Sequence, residues 1–96
     1  MTVDDLEALF KMHSAEYIKF DRIENKRSTR PDLHAFLLLD ALVPGTEDII
    51  SASEHDEFYL SIELEELVKA GITEAQVIEL VRCGVRMGEY GLCMFA

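Results

Sequence analysis

The tripeptide Gly71-Ile72-Thr73 constrains this chain more than any other stretch. Upstream of it, Leu64, Leu67, Val68 and Ile72 recur at the i, i+3, i+4 spacing of a one-sided helix, and Gly71 can take the left-handed C-terminal position without a Cβ penalty. Downstream, Thr73 is followed three residues later by Gln76, a capping box in which hydroxyl and amide each satisfy a backbone N–H. The spacing predicts a helix from about Glu63 to Ala70, a stop, and a second helix from about Glu74 to Arg82. Val77, Leu80 and Val81, with Ile78 on a flank, give that second helix an apolar stripe, and Gly84 offers the next stop. A short strand, Phe58 to Ile62, precedes the pair. After it, Val85 and Met87 on one side and Leu92, Met94 and Phe95 on the other flank a Gly88-Glu89-Tyr90-Gly91 tip, which reads as a hairpin.

Earlier in the chain, Thr2 with Asp5 three residues on reads as a helix start at about Val3. Leu6, Leu9, Phe10, His13, Tyr17 and Phe20 keep helical spacing, so the helix is expected to run to about Phe20, although Ile18 and Phe20 also suit a short strand. Polar Glu24 to Arg30 reads as a loop, because Pro31 biases Arg30 away from helical torsions. Ser28 or Thr29 then caps a helix that tolerates Pro31 in its first turn. Leu33, Phe36, Leu37, Leu38, Leu39, Leu42 and Val43 leave this helix almost no polar face, so it is expected to be the central buried one. Pro44-Gly45 ends it, and Thr46 to Glu57 is a polar connection in which Asp48-Ile49-Ile50-Ser51 adds a short strand.

The element order, with helix, strand, two helices and hairpin, resembles the winged helix-turn-helix family. The match is carried by Gly71-Ile72-Thr73-Glu74-Ala75-Gln76-Val77 and continued by Leu80. The resemblance implies an α+β, winged-helix-like single domain over residues 1–96. Residues 1–27 would form an N-terminal helix and basic loop outside a core of residues 28–96. Arg30 to Asp40, His55 to Leu60 and Cys83 to Arg86 also resemble small proteins of bacteriophages and prophages, which implies an origin rather than an activity.

Charge then sorts the function classes. The formal net charge is −10, and it is uneven. Residues 1–30 hold six acidic and six basic side chains, whereas residues 31–96 hold 13 acidic against Lys69, Arg82 and Arg86. A winged helix that reads DNA needs cations to release counterions from phosphates, and here Glu74 and Glu79 sit on the helix that would enter the groove. Duplex DNA is therefore an unfavourable partner. In the alternative of a DNA-binding regulator, Lys26, Arg27 and Arg30 would be the phosphate contacts. The favoured reading is a small acidic, non-enzymatic accessory factor that docks on a basic, nucleic-acid-handling protein as a phosphate mimic, through Glu63, Glu66, Glu74, Glu79 and Glu89.

An enzyme is the third class, but no nucleophile has a base and orienter at diagnostic spacing, and no cofactor motif stands out. Glu54-His55-Asp56-Glu57 brings metal-type ligands together, of which His55, Asp56 and Glu57 are the candidates, yet adjacent loop residues rarely converge on one ion, and a solvated acidic loop is the simpler reading. His13 and His34 lie on apolar stripes as core or interface histidines. Cys83 and Cys93 lack zinc-site spacing and read as buried free thiols of a reducing, cytoplasmic compartment. No apolar run approaches membrane-spanning length. Finally, Leu6, Phe10, His13, Tyr17 and Phe20 form a stripe that must be covered, either by the domain itself or by a second copy in a homodimer.

Overall fold

The computed structural model describes residues 1–54, 56–88 and 91–95, with the side chains of Glu54 and Phe95 left aside. It has four helices, α1 (Val3–Met12), α2 (Pro31–Leu42), α3 (Leu64–Ala70) and α4 (Glu74–Arg82), and four strands, β1 (Ile50–Glu54), β2 (Glu57–Leu60), β3 (Val85–Gly88) and β4 (Gly91–Phe95). The strands form one antiparallel sheet in the order β1-β2-β4-β3. Strand β2 precedes the helix pair yet sits beside the last strand of the hairpin, which gives the winged-helix-like α+β architecture.

Local chemistry sets the helix ends. Thr73 Oγ1 accepts from the Gln76 N–H at 3.2 Å while Gln76 Oε1 accepts from the Thr73 N–H at 2.9 Å, and Thr2 and Asp5 make the same reciprocal pair at 3.1 and 2.9 Å. Gly71 closes α3 at φ +80°, a torsion that a Cβ would strain. Glu63 stands at the N-cap of α3, and its N–H donates to Glu66 Oε1 at 3.1 Å. One core gathers Leu6 and Phe10 of α1, Leu38 and Leu39 of α2, Leu67 of α3, Val77, Leu80 and Val81 of α4, and Val85, Leu92 and Met94 of the hairpin.

Four expectations need correction. First, α1 stops at Met12, and two 3-10 turns, Ser14–Glu16 and Phe20–Arg22, replace its continuation to Phe20. Between them Ile18 adopts φ +62°, and its N–H donates to the Val81 carbonyl at 3.2 Å. Tyr17 and Phe20 pack against the core from these turns. The turn folds this segment back across α4, which covers part of the apolar stripe with its own chain. Leu6 and Phe10 are buried, His13 is bonded to α4, and Tyr17 and Phe20 are half-buried.

Second, α2 is not the central helix. Leu38 and Leu39 are buried, but Leu33 and Leu37 are 44% and 41% exposed, because α2 packs sideways on α4 while α1 meets α3, α4 and β3. Third, Arg30 rather than Ser28 or Thr29 occupies the N-cap of α2, with Ser28 Oγ accepting from the Arg30 N–H at 3.1 Å. Fourth, the short strand expected at 48–51 lies two residues later and is longer. As β1 it pairs with β2 from Ile50↔Leu60 to Glu54↔Glu57.

A β-branched residue in the left-handed region costs on the order of 1–2 kcal/mol, and Ile18 is half-exposed and repays little of that through burial. Ile18→Asn is therefore expected to raise the unfolding free energy by about 1 kcal/mol, since asparagine tolerates this torsion. Chemical denaturation reads the change, and a loss of stability would show that the isoleucine side chain is needed where it lies.

Candidate functional site

In a winged helix the face of interest belongs to α4. Burial of Val77, Leu80 and Val81 turns Ala75, Ile78, Glu79 and Arg82 outward. Here both ends of that outward face are bonded to the chain itself. His13 Nε2 lies 2.8 Å from Glu74 Oε2, tying the end of α1 to the start of α4. Arg82 donates to Glu16 Oε1 at 3.1 Å and to the Arg22 carbonyl at 3.3 Å, and Arg22 closes the set on Glu16 Oε2 at 2.9 Å. The Arg82 and Arg22 guanidinium groups hold the Glu16 carboxyl below the usual glutamate range. A cleft of about 460 Å3 remains between this segment and α4, lined by Arg22, Ile23, Asn25, Ile78, Glu79 and Arg82.

Behind Glu79 lies His34, only 1% exposed. Its Nδ1 accepts from the Arg27 N–H at 3.0 Å, which leaves the proton of the neutral ring on Nε2, 3.9 Å from Glu79 Oε2. The Phe20 ring meets the imidazole edge-on at 5.9 Å between centroids. Burial pushes the His34 pKa below the ordinary histidine value, Arg27 and Lys26 add to that, and Glu79 opposes it. This histidine is a structural pin between α2 and the loop, and among the described residues its Nε2 has no hydrogen-bond partner.

The three residues of the basic cluster are exposed, and two of them also make contacts within the chain. Lys26 Nζ donates to the Ile23 carbonyl at 3.1 Å and sits 5.4 Å from the centre of the Phe20 ring, and Arg30 reaches Asp32 Oδ2 at 3.2 Å. Arg27 contributes its backbone to His34 and keeps its side chain exposed. Of the three cations after Arg30, Arg82 is bound to Glu16 and Arg86 to Glu57.

The five proposed docking carboxylates do not share one element. Glu63 and Glu66 open α3, with Glu66 committed to the cap. Glu74 is held by His13, and Glu79 is half-covered beside His34. Glu89 lies outside the described residues, as does His55 of the metal-type candidates. Of the other two, Asp56 is exposed and Glu57 is paired with Arg86. Among the described residues no group of three or more His, Cys, Asp or Glu is placed to hold a metal ion. Cys83 and Cys93 are free and buried; burial, with Glu79 adding to it, pushes the Cys83 thiol up to about 12, and burial also raises Cys93 against an opposing influence from Arg86. Such thiols are poor nucleophiles near neutrality.

Sequence patterning showed the segment Thr46 to Glu66 only in parts, as a polar connection, an acidic loop and the docking carboxylates Glu63 and Glu66. It carries eight carboxylates, Glu47, Asp48, Glu54, Asp56, Glu57, Glu63, Glu65 and Glu66, and no lysine or arginine. The fold places it as the β1–β2 hairpin and the start of α3, around a groove of about 470 Å3 whose lining includes Val3, Ser51, Leu60, Ile62, Glu63 and Glu65. A running charge count over that window would have found it.

Comparison of the chain with protein-family models, with curated proteins and with solved structures returned no match. Among the described residues no helix is long and apolar enough to cross a membrane.

Proposed function

We propose that this chain is a non-enzymatic, protein-binding accessory factor whose acidic surface docks on a basic surface of a nucleic-acid-handling protein, where it takes the place of phosphates. The observation that supports this reading most is the fate of α4. The face that would enter a DNA groove is tied at both ends to the chain itself, Glu74 to His13 and Arg82 to Glu16 and the Arg22 carbonyl, and Lys26, Arg30 and Arg86 each also make a contact within the chain. Exposed carboxylates, by contrast, gather where no cation is encoded, at Glu47, Asp48, Asp56, Glu63 and Glu65. A fixed field of one sign attracts a surface of the other and speeds encounter in a salt-dependent way. A phage-type origin and a cytoplasmic setting, both implied by the sequence, are compatible with such a role.

Electrophoretic mobility shift with random-sequence duplex at about 0.15 M salt is expected to show no complex. Capture from a lysate should retain a protein that is released both by raised salt and by the double charge reversal Glu63→Lys with Glu65→Lys. Tight binding of duplex DNA, or a partner whose retention ignores both changes, would refute the proposal.

A further inference from the structure

An antiparallel sheet ordered β1-β2-β4-β3 has two edges. The β3 edge lies against α1. The β1 edge has no such cover: Ile50 is 39% exposed, Ser51, Ala52 and Ser53 are exposed, and among the described residues no backbone hydrogen bond is made from its outer side. Soluble sheets usually guard an open edge with lysine, proline or an inward-pointing charge. Ile50-Ser51-Ala52-Ser53 carries no lysine, proline or charge; the only charge in β1 is its last residue, Glu54, and a bulge between Ile50 and Ala52 interrupts the ladder where Ser51 lines the groove beside Glu63 and Glu65. A row of unpaired peptide groups thus runs into a groove of mixed lining, with Val3 and Leu64 beside Ser51, Ser61, Glu63 and Glu65.

We infer that β1 is a docking edge for an extended segment of a partner protein that alternates lysine or arginine with apolar residues and adds to the sheet as a fifth strand. Main-chain hydrogen bonds supply the affinity of such additions and alternate side chains their specificity. Here the added strand runs along the groove past Val3, Ser51 and Leu64, where its apolar residues meet Val3 and Leu64 and its cations meet Glu63 and Glu65. A second copy is the competing occupant, and charge decides against it. Pairing β1 with β1 would bring together two segments that each carry eight carboxylates and no lysine or arginine. This inference rests on the acidic-docking reading and narrows it to one edge and one backbone conformation.

The test uses the full chain and three synthetic peptides of about eight residues, a usual strand length: alternating lysine and valine, the same peptide N-methylated at every second residue, and alternating glutamate and valine. In titration calorimetry the lysine–valine peptide is expected to bind, N-methylation to weaken it tenfold or more, and the glutamate–valine peptide not to bind. Amide exchange at Ser51, Ala52 and Ser53 should slow when the first peptide is present. Ser53→Lys, at an exposed position, should weaken the same peptide tenfold or more while leaving the thermal midpoint unchanged. Equal affinity for the N-methylated peptide, protection away from β1, or no binding of the lysine–valine peptide would overturn strand addition, and salt-sensitive capture of a basic partner would still stand. Protection of β1 that grows with protein concentration in the absence of peptide would assign the edge to a second copy instead. Failure of the capture experiment together with normal peptide binding would reject only the wider functional reading.

Discussion

Leu6→Ala is expected to destabilise the domain by about 2–5 kcal/mol, enough to lower the thermal midpoint by about 10 °C or more in a chain of this size. The side chain is fully buried and belongs to the single core, with α1 lying against α3, α4 and β3. Truncation removes the transfer free energy of the lost carbons, and it also leaves a cavity, because neighbours held by three different elements cannot all move to fill it. Against a total of roughly 5–15 kcal/mol for a native domain, one such change removes a large share. Met12→Ala is the matched control on the same helix. Met12 is 66% exposed, and its truncation should fall within about 0.5 kcal/mol of neutral. Urea denaturation of the two variants reads the difference, and a cost below about 1 kcal/mol for Leu6→Ala would mean that α1 is an appendage. Leu39→Ala, also fully buried, should resemble Leu6→Ala rather than Met12→Ala.

That contrast shows where the sequence was informative and where it was not. Thr73 with Gln76, Thr2 with Asp5, and Gly71 act over three or four residues, and their hydrogen bonds and torsions appear where the spacing placed them. The ranking of helices by centrality did not follow from composition. The leucine run of α2 looked more buried than the amphipathic α1, yet a run of leucines has no polar side to fix its orientation, and the fold leaves Leu33 and Leu37 in solvent. The left-handed turn at Ile18 was hidden because an isoleucine there contradicts local preference. Only tertiary contact, its N–H on the Val81 carbonyl and Tyr17 and Phe20 on the core, holds the residue in place. Strand β1 was half-seen, since Ser51-Ala52-Ser53 has neither strong strand propensity nor a recognisable hairpin turn.

The candidate site divides in the same way. Net charge, a sum over the chain, was legible, and the exposure of the carboxylates around β1 and α3 follows from it. Pairing was not legible, because it joins residues far apart in sequence. Nothing near Glu74 announces His13, and nothing near Arg82 announces Glu16. These two contacts tie both ends of the outward face of α4 to the chain itself.

Acidification through the histidine range is expected to destabilise the protein, and His34→Asn to remove that dependence. His34 is 1% exposed, its Nδ1 accepts from the Arg27 N–H, and the protonated ring would have to give up that bond and carry a charge inside the core. Burial, with Arg27 and Lys26 nearby on the loop, therefore holds its pKa below the ordinary 6.5, while Glu79 on α4 offsets part of this. A histidine that is neutral in the fold binds fewer protons there than in the unfolded chain. Its contribution is complete above the unfolded value and is lost as pH falls from about 6.5 towards the lower folded value. Asp5 and Glu16, both lowered, lose their contributions in the same direction but in the carboxylate range, and relief of the net negative charge also belongs there. The two windows are thus separable. Thermal midpoints measured from about pH 7.5 to about pH 5.5, an interval that brackets histidine titration, should fall for the native chain. They should stay level relative to it for His34→Asn, whose side-chain oxygen can take over the Arg27 N–H. Subtracting one profile from the other cancels whatever the remaining histidines contribute. Parallel profiles, or a native chain that gains stability on acidification across that interval relative to the variant, would mean that His34 accepts its proton within the fold, and the reading of it as a neutral pin would fail.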